Sequence, residues 1–230
     1  MMLQFMRPID LKSPFSSRER YILIREKVLY YPKTCDPKSF QFPGWDHPDV
    51  FGRSAPIMLE YCSGNGAWIV EKALAHPELN WVALEMDFDR VRKIYSKRHN
   101  LNIENLFIIC GEALRTSQAF IAEATIHDLF INFPDPWPKR RHAKYRLIQN
   151  SFVKELERIL KKDAAITFVT DDSPYSSQFI KTLQQFPKME SHYETPYYVT
   201  DFPDYGNSPF ATIWKKQGKD ILYHRFRKKS

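Results

Sequence analysis

The stretch that decides the fold is Leu59-Glu60-Tyr61-Cys62-Ser63-Gly64-Asn65-Gly66, with Ala67 opening a helical pattern behind it. An apolar run that breaks on glycines and resumes as a helix reads as strand, turn, helix. Glycines at 64 and 66 let backbone approach a ligand closely and supply torsions that other residues resist. Glu85 lies about 20 residues past the turn, at the end of the next apolar run, where a carboxylate can accept hydrogen bonds from both ribose hydroxyls of a nucleoside. The run SGNGAW lacks the GxGxxG spacing by which dinucleotide folds bring a helix N-terminus to a pyrophosphate. Glu60, just before the turn, would also repel such a group. An acid there suits a cationic ligand end, such as the amino group or sulfonium of S-adenosylmethionine.

Downstream, short apolar runs alternate with longer amphipathic segments, the signature of a mostly parallel sheet covered by helices. The predicted strands are Ile57 to Tyr61, Trp81 to Glu85, Leu106 to Cys110, Asp128 to Phe133 and Ala165 to Thr170. Lys144 to Lys161 places Ile148, Phe152, Leu156, Ile159 and Leu160 at helical spacing, which predicts a helix with one face on the sheet. After Ser191, the segments Tyr193 to Val199, Phe210 to Lys215 and Ile221 to Arg227 read as β-rich and would finish the sheet as an antiparallel edge. Asp201 to Pro209 is dense in turn residues.

Two more strand ends carry chemistry. Cys110-Gly111-Glu112-Ala113 places a carboxylate where it can accept from an adenine exocyclic amine while Ala113 packs on the ring. Asn132-Phe133-Pro134-Asp135-Pro136-Trp137-Pro138 follows the fourth predicted strand and runs into Lys139-Arg140-Arg141-His142. Each proline fixes its own φ and disfavours the α region for the residue before it, so Phe133, Asp135 and Trp137 are expected in extended geometry. The loop should be stiff, holding one carboxylate and one indole beside positive charge. Lys139, Arg140, Arg141, Lys144 and Arg146 are then candidates to meet phosphates, and Trp137 or Phe133 to stack on a base.

Upstream, residues 1–55 carry scattered prolines and aromatics, with a helical stretch expected near Ser17 to Tyr30. They read as an irregular N-terminal arm on a domain spanning 56–230. The opening residues are broken by Arg7 and Pro8 too soon for a signal peptide, and no run nears the roughly 20 apolar residues of a membrane span. Cysteines 35, 62 and 110 form no CxxC pair, so neither a disulfide framework nor a zinc site is indicated, and a cytoplasmic location fits. Lys plus Arg exceed Asp plus Glu by 34 to 27, a formal charge of +7. That excess is compatible with a polyanionic partner.

The runs INFPDPWPKRRH, LEYCSGNG, WVALEMDFDRV, IICGEAL and FVTDDSPY, in this spacing, closely resemble the bacterial tRNA (guanine-N7-)-methyltransferase family. The resemblance covers roughly Ile57 to Asp172 and continues more faintly beyond. It implies a Rossmann-like class I methyltransferase, an α/β fold with a mostly parallel seven-stranded sheet, an antiparallel edge strand and helices on both faces. It implies S-adenosylmethionine as methyl donor with no metal, and tRNA as partner, for a monomer or homodimer that does not engage membranes. Carried onto this chain, Glu60, Gly64, Gly66, Glu85, Glu112 and Asp135 contact the donor or border its pocket. Asp135 is the catalytic acid, and Lys139, Asp171 and Ser208 contact the substrate. The chain departs from the family at Cys62, where glycine is usual, and at Ser208-Pro209-Phe210-Ala211, where the family's Glu is replaced by Ala211. Those departures keep open a non-catalytic tRNA-binding homologue, beside a methyltransferase for another acceptor.

Overall fold

The computed structural model describes residues 5–15, 20–206 and 208–229. The chain divides into two compact units, Met1–Phe120 and Ile121–Ser230.

The first unit contains β1 (Leu23–Arg25), β2 (Val28–Tyr30), β3 (Ile57–Tyr61), α1 (Ala67–Ala75), β4 (Asn80–Glu85), α2 (Phe88–Asn100), β5 (Leu106–Cys110) and α3 (Ala113–Phe120). Its strands lie in the order β1-β2-β5-β4-β3. β2, β5, β4 and β3 are parallel and β1 runs against β2. Val82, Ala83, Leu106, Phe107, Ile108 and Ile109 are fully buried. That is why β4 and β5 read as unbroken apolar runs, the pattern of strands covered on both faces. The register sets Tyr61 opposite Leu84 and Glu85 opposite Cys110. The carboxyl ends of β3, β4 and β5 therefore open at one edge of the unit. α2 is fixed at its start by the Asp87 carboxylate, which accepts from Asp89 N–H at 2.8 Å, and carries Lys97, Arg98 and His99 in its last turn. Both features suit the helix dipole.

The helix expected near Ser17 to Tyr30 is replaced by a hairpin. Its first residues, 17–19, lie outside the described set, and 23–30 form β1 and β2 around Glu26 and Lys27, with φ of 53° and 59°. Two successive left-handed residues are a hairpin turn. Parallel pairing of Val28 with Ile108 and Tyr30 with Cys110 outweighs local helical spacing.

The second unit contains β6 (Ile126–Asn132), α4 (Asn150–Ile159), β7 (Leu160–Thr170), α5 (Ser173–Leu183), β8 (Met189–Ser191), α6 (Pro209–Lys216) and β9 (Leu222–Lys228). Its strand order is β6-β7-β9-β8. β6 and β7 are parallel, and β9 runs antiparallel to both β7 and β8, the expected antiparallel edge. α4 buries Phe152, Val153, Leu156 and Ile159, the face anticipated from spacing. It is shorter than expected at both ends. Arg140–Tyr145 is a 3-10 turn, and Leu160 already pairs with Ile126 as the first residue of β7.

Two further expectations are corrected. Phe210 to Lys215 is helical, lying in α6, because Ser208 caps its start and Pro209 occupies the first turn. Ser-Pro is a helix-start signal that outranks the β propensity of Phe, Thr, Ile and Trp. Tyr193 to Val199 is turn rather than strand, with only Val199 bridging to Tyr223. No helix among the described residues is long and apolar enough to cross a membrane.

Candidate active site

In the first unit the turn after β3 takes three left-handed residues in quick succession, Cys62 (φ 59°), Gly64 (φ 56°) and Gly66 (φ 74°). Cys62 thus adopts the left-handed conformation that glycine would take at no cost, so the turn carries backbone strain at that residue. Gly66 has a second constraint. A Cβ there would lie 2.8 Å from Ile94 Cγ1, so α1 can start this close to α2 only with glycine.

The turn is tied to the next strand by Glu85. One carboxylate oxygen accepts from Gly64 N–H at 2.8 Å, and the other accepts from Met86 and Asp87 N–H at 2.8 and 3.0 Å. The Arg90 guanidinium lies 3.8 Å away. Three backbone donors fix an acid that is only 6% exposed, which is the satisfaction a buried carboxylate requires. Oε2, which accepts from Gly64 alone, keeps acceptor capacity for a ligand, whereas Oε1 already accepts two hydrogen bonds. Glu60 is also buried, at the end of β3. Glu112 is half-buried and heads α3, its two oxygens accepting from Leu114 and Arg115 N–H at 3.1 and 2.8 Å. Between these strand ends, burial, aided by the charges of Glu85 and Asp87, pushes the Cys110 thiol up to about 12, so it remains neutral.

The Arg115 side chain reaches the N-terminal arm. It donates to the carbonyls of Lys33 and Cys35 at 2.6 and 3.1 Å and to Tyr31 Oη at 3.0 Å, with its guanidinium over the Tyr31 ring. A cavity of about 450 Å³ opens beside it, lined on one side by Phe15, Tyr30 and Pro32 of the arm and on the other by Met86, Cys110 and Glu112.

In the second unit the proline loop leaves β6 with Phe133 N–H donating to Val169 carbonyl at 2.9 Å. Phe133 and Trp137 have φ of 46° and 43°, so the expected extended geometry is corrected at both. A following proline disfavours the right-handed helical region but does not choose among the others. Here Phe133 packs near Phe210, with centroids 5.9 Å apart, and Trp137 groups with His142 and Tyr145. Such left-handed residues cost of order 1–3 kcal/mol each and persist where surroundings over-determine them. Asp135, Trp137 and Lys139 are exposed.

Arg146 departs from its expected role. It is buried, its Nε donates to Pro136 carbonyl at 2.6 Å, its Nη1 donates to Gln178 Oε1 at 2.7 Å, and the guanidinium lies over Tyr175. It braces the loop from behind and is not available to a phosphate. Arg141 and Lys144 are exposed as anticipated, while the Arg140 side chain lies outside the described set. Asp171 is paired with Lys219 at 2.6 Å. Ser208 is buried and caps α6, accepting from Ala211 N–H at 3.5 Å. Sequence reasoning missed the bracing by Arg146 and Arg115, since nothing local separates a bracing arginine from a solvated one.

The chain matches the family described as "Putative methyltransferase" over residues 54–222. A solved 16S rRNA methyltransferase, KamB, superposes with a TM-score of 0.58 at 11% identity, covering 78% of this chain and 91% of that one. Fold and strand-end chemistry together define a Rossmann-like class I methyltransferase, with a mostly parallel sheet and antiparallel edge strands. The tRNA (guanine-N(7)-)-methyltransferases of Chlamydia abortus and Chlamydia felis are 44% and 43% identical to it, each over 97% of this chain and 99% and 98% of their own lengths. The chain belongs to the tRNA (guanine-N(7)-)-methyltransferase family.

Proposed function

We propose that this protein transfers a methyl group from S-adenosylmethionine to N7 of a guanine in the variable loop of tRNA. The observation that carries the reading is Asp135, an exposed carboxylate on a proline-locked loop after β6, in a chain whose near-full-length relatives bear that name.

The first unit's donor set fits the methyl donor. Glu85 Oε2 has acceptor capacity left for a ribose hydroxyl, Glu112 for an exocyclic amine, and Glu60 offers negative charge to a cationic amino-acid end. Gly64 and Gly66 allow backbone to approach closely. Bound there, S-adenosylmethionine supplies an electrophilic methyl on a sulfonium.

Guanine N7 already holds an in-plane lone pair, so no base must first remove a proton. The protein's task is orientation, together with negative charge near the purine as it becomes cationic. Asp135 serves that task by accepting from guanine N1–H and the 2-amino group, which also selects guanine over adenine. Arg146 holds Asp135's loop in shape. Lys139, Arg141 and Lys144 meet tRNA phosphates, with Asp171 and Ser208 assigned to the substrate side. Because N7 in folded tRNA can be engaged in tertiary pairing, the target base is displaced before reaction.

The test is transfer of labelled methyl to tRNA transcripts carrying guanine or 7-deazaguanine at the variable-loop position. Label is expected on the first and not on the second. Equal labelling of both would exclude N7 as the acceptor.

A further inference from the structure

Resting on the reading of the first unit as the methyl-donor half, we infer that the N-terminal arm is part of the donor site, with Phe15 and Tyr30 forming one wall of the slot that takes the donor's purine.

Glu85 sets the direction. Its carboxylate is locked by three backbone N–H groups, and the next residue, Met86, lines the cavity of about 450 Å³. A ribose held at Glu85 directs its base past Met86 toward Cys110 and Glu112, which border the same cavity. The far wall there comes from the arm. That volume lies within the range of sites for small organic ligands, which are apolar with a few polar groups fixing orientation. Tyr30, Phe15 and Met86 supply the apolar surface, and Glu112 supplies one acceptor at the rim.

The arm is built into this position from three sides. Tyr30 is the end of β2 and sits opposite Cys110 in parallel register. Tyr31 N–H donates to Cys110 carbonyl at 2.9 Å, and Arg115 fastens residues 31–35 to the helix that Glu112 heads. On the other flank Asn100 exchanges hydrogen bonds with both backbone groups of Met6 at 2.8 Å, and Arg92 donates to Leu11 carbonyl at 3.0 Å. Phe15 meets Tyr30 edge-on at 6.1 Å, so the two rings act as one corner of the slot. The pairing of β2 with β5 would by itself cover the sheet edge, but the Arg115 contacts to residues 31–35 lie beyond it and fix the arm beside Glu112.

The experiment uses the full chain and S-adenosylhomocysteine as probe, read by calorimetry, with the ligand-free melting temperature of every variant measured alongside. Phe15→Ala is expected to weaken binding about fivefold to a hundredfold, the loss typical of removing an aromatic from a base. Phe15→Tyr should retain affinity within about twofold, keeping the ring. Ile9→Ala, elsewhere in the arm and exposed, should leave it unchanged. Glu85→Ala separates the two levels of inference. If Glu85→Ala weakens binding while Phe15→Ala binds as wild type, the arm is not part of the site and the donor reading stands. If neither changes binding, the donor reading fails with it. Should Phe15→Ala lower the ligand-free melting temperature by more than a few degrees, Phe15→Leu replaces it. Loss of affinity in Phe15→Leu at an unchanged melting temperature supports the inference, and wild-type affinity overturns it.

Discussion

Arg146 Nε donates to the carbonyl of Pro136 at 2.6 Å, so a buried guanidinium holds the residue that follows Asp135. Prolines stiffen the loop, but they cannot say where it points. The arginine settles that, and Gln178 and the Tyr175 ring hold the arginine.

Arg146→Ala should therefore behave as a loop mutation and leave phosphate binding alone. Removing a buried charge-assisted donor costs roughly 1.5–3 kcal/mol per hydrogen bond. A lower unfolding midpoint is expected, with kcat reduced more than tRNA affinity. The salt slope of tRNA binding should match wild type, and a shallower slope would return Arg146 to the phosphate-binding set.

Lys139→Ala/Arg141→Ala makes the opposite test. Both residues are exposed, so stability should stay within about 0.5 kcal/mol. The log–log dependence of tRNA affinity on salt should flatten by about 0.7–0.9 for each phosphate that is no longer neutralised. Filter-binding titrations at several salt concentrations measure it.

Asp135→Ala should leave the fold untouched, because the side chain is exposed on its loop. If its carboxylate faces the purine as charge develops, turnover falls by about a hundredfold or more, the scale seen when one preorganised electrostatic partner is removed. Single-turnover methyl transfer at saturating tRNA is the measurement. Wild-type rates would remove its catalytic assignment.

Glu85→Ala strips an acceptor from three backbone N–H groups and, in the proposed function, from the donor's ribose. Binding of S-adenosylhomocysteine should weaken about ten- to a hundredfold, from a loss of roughly 1.5–3 kcal/mol. Unlike Asp135→Ala, this variant should also melt lower without ligand. Calorimetry and thermal melts on the same samples separate the two effects.

His224 predicts a pH dependence of stability. The ring is fully buried among Phe168, Phe179 and Tyr198, its Nδ1 donates to Tyr197 carbonyl at 3.1 Å, and its Nε2 meets no hydrogen-bond partner among the described residues. Burial pushes its pKa down to about 4, against an ordinary 6.5, the Tyr197 carbonyl offsetting only part of the effect. Between those values the unfolded chain binds the proton and the folded chain does not, so stability falls as pH drops from 6.5 toward 4. The full span corresponds to about 3 kcal/mol. Denaturant midpoints for wild type and His224→Gln across that range should converge as pH falls, and parallel curves would assign the dependence elsewhere.

Much of the architecture was legible in the chain. Parallel strands buried on both faces must be unbroken apolar runs, so β3, β4 and β5 could be located to within a residue, and with them the strand-end acids Glu60, Glu85 and Glu112. The Gly64 and Gly66 turn was legible for a similar reason, since its backbone torsions are local. Cys62 shows the limit. It adopts the same left-handed φ although its identity gives no hint of it.

What the sequence by itself determined, then, was the alternating α/β layout, the family and the residues at the strand ends, because each rests on local periodicity or on a motif. Tertiary structure alone decided that residues 23–30 form a hairpin, that Phe133 and Trp137 take positive φ, that Arg146 faces inward to the loop, and that Arg115 fastens the arm. Each of these is held by partners well outside its own segment, such as Tyr30 with Cys110, Arg146 with Gln178 and Arg115 with Lys33. Long-range hydrogen bonds and burial override local preference, and a linear reading carries no record of which distant residue will arrive. The loop motif announced its carboxylate from the sequence, and the fold supplied the arginine that aims it.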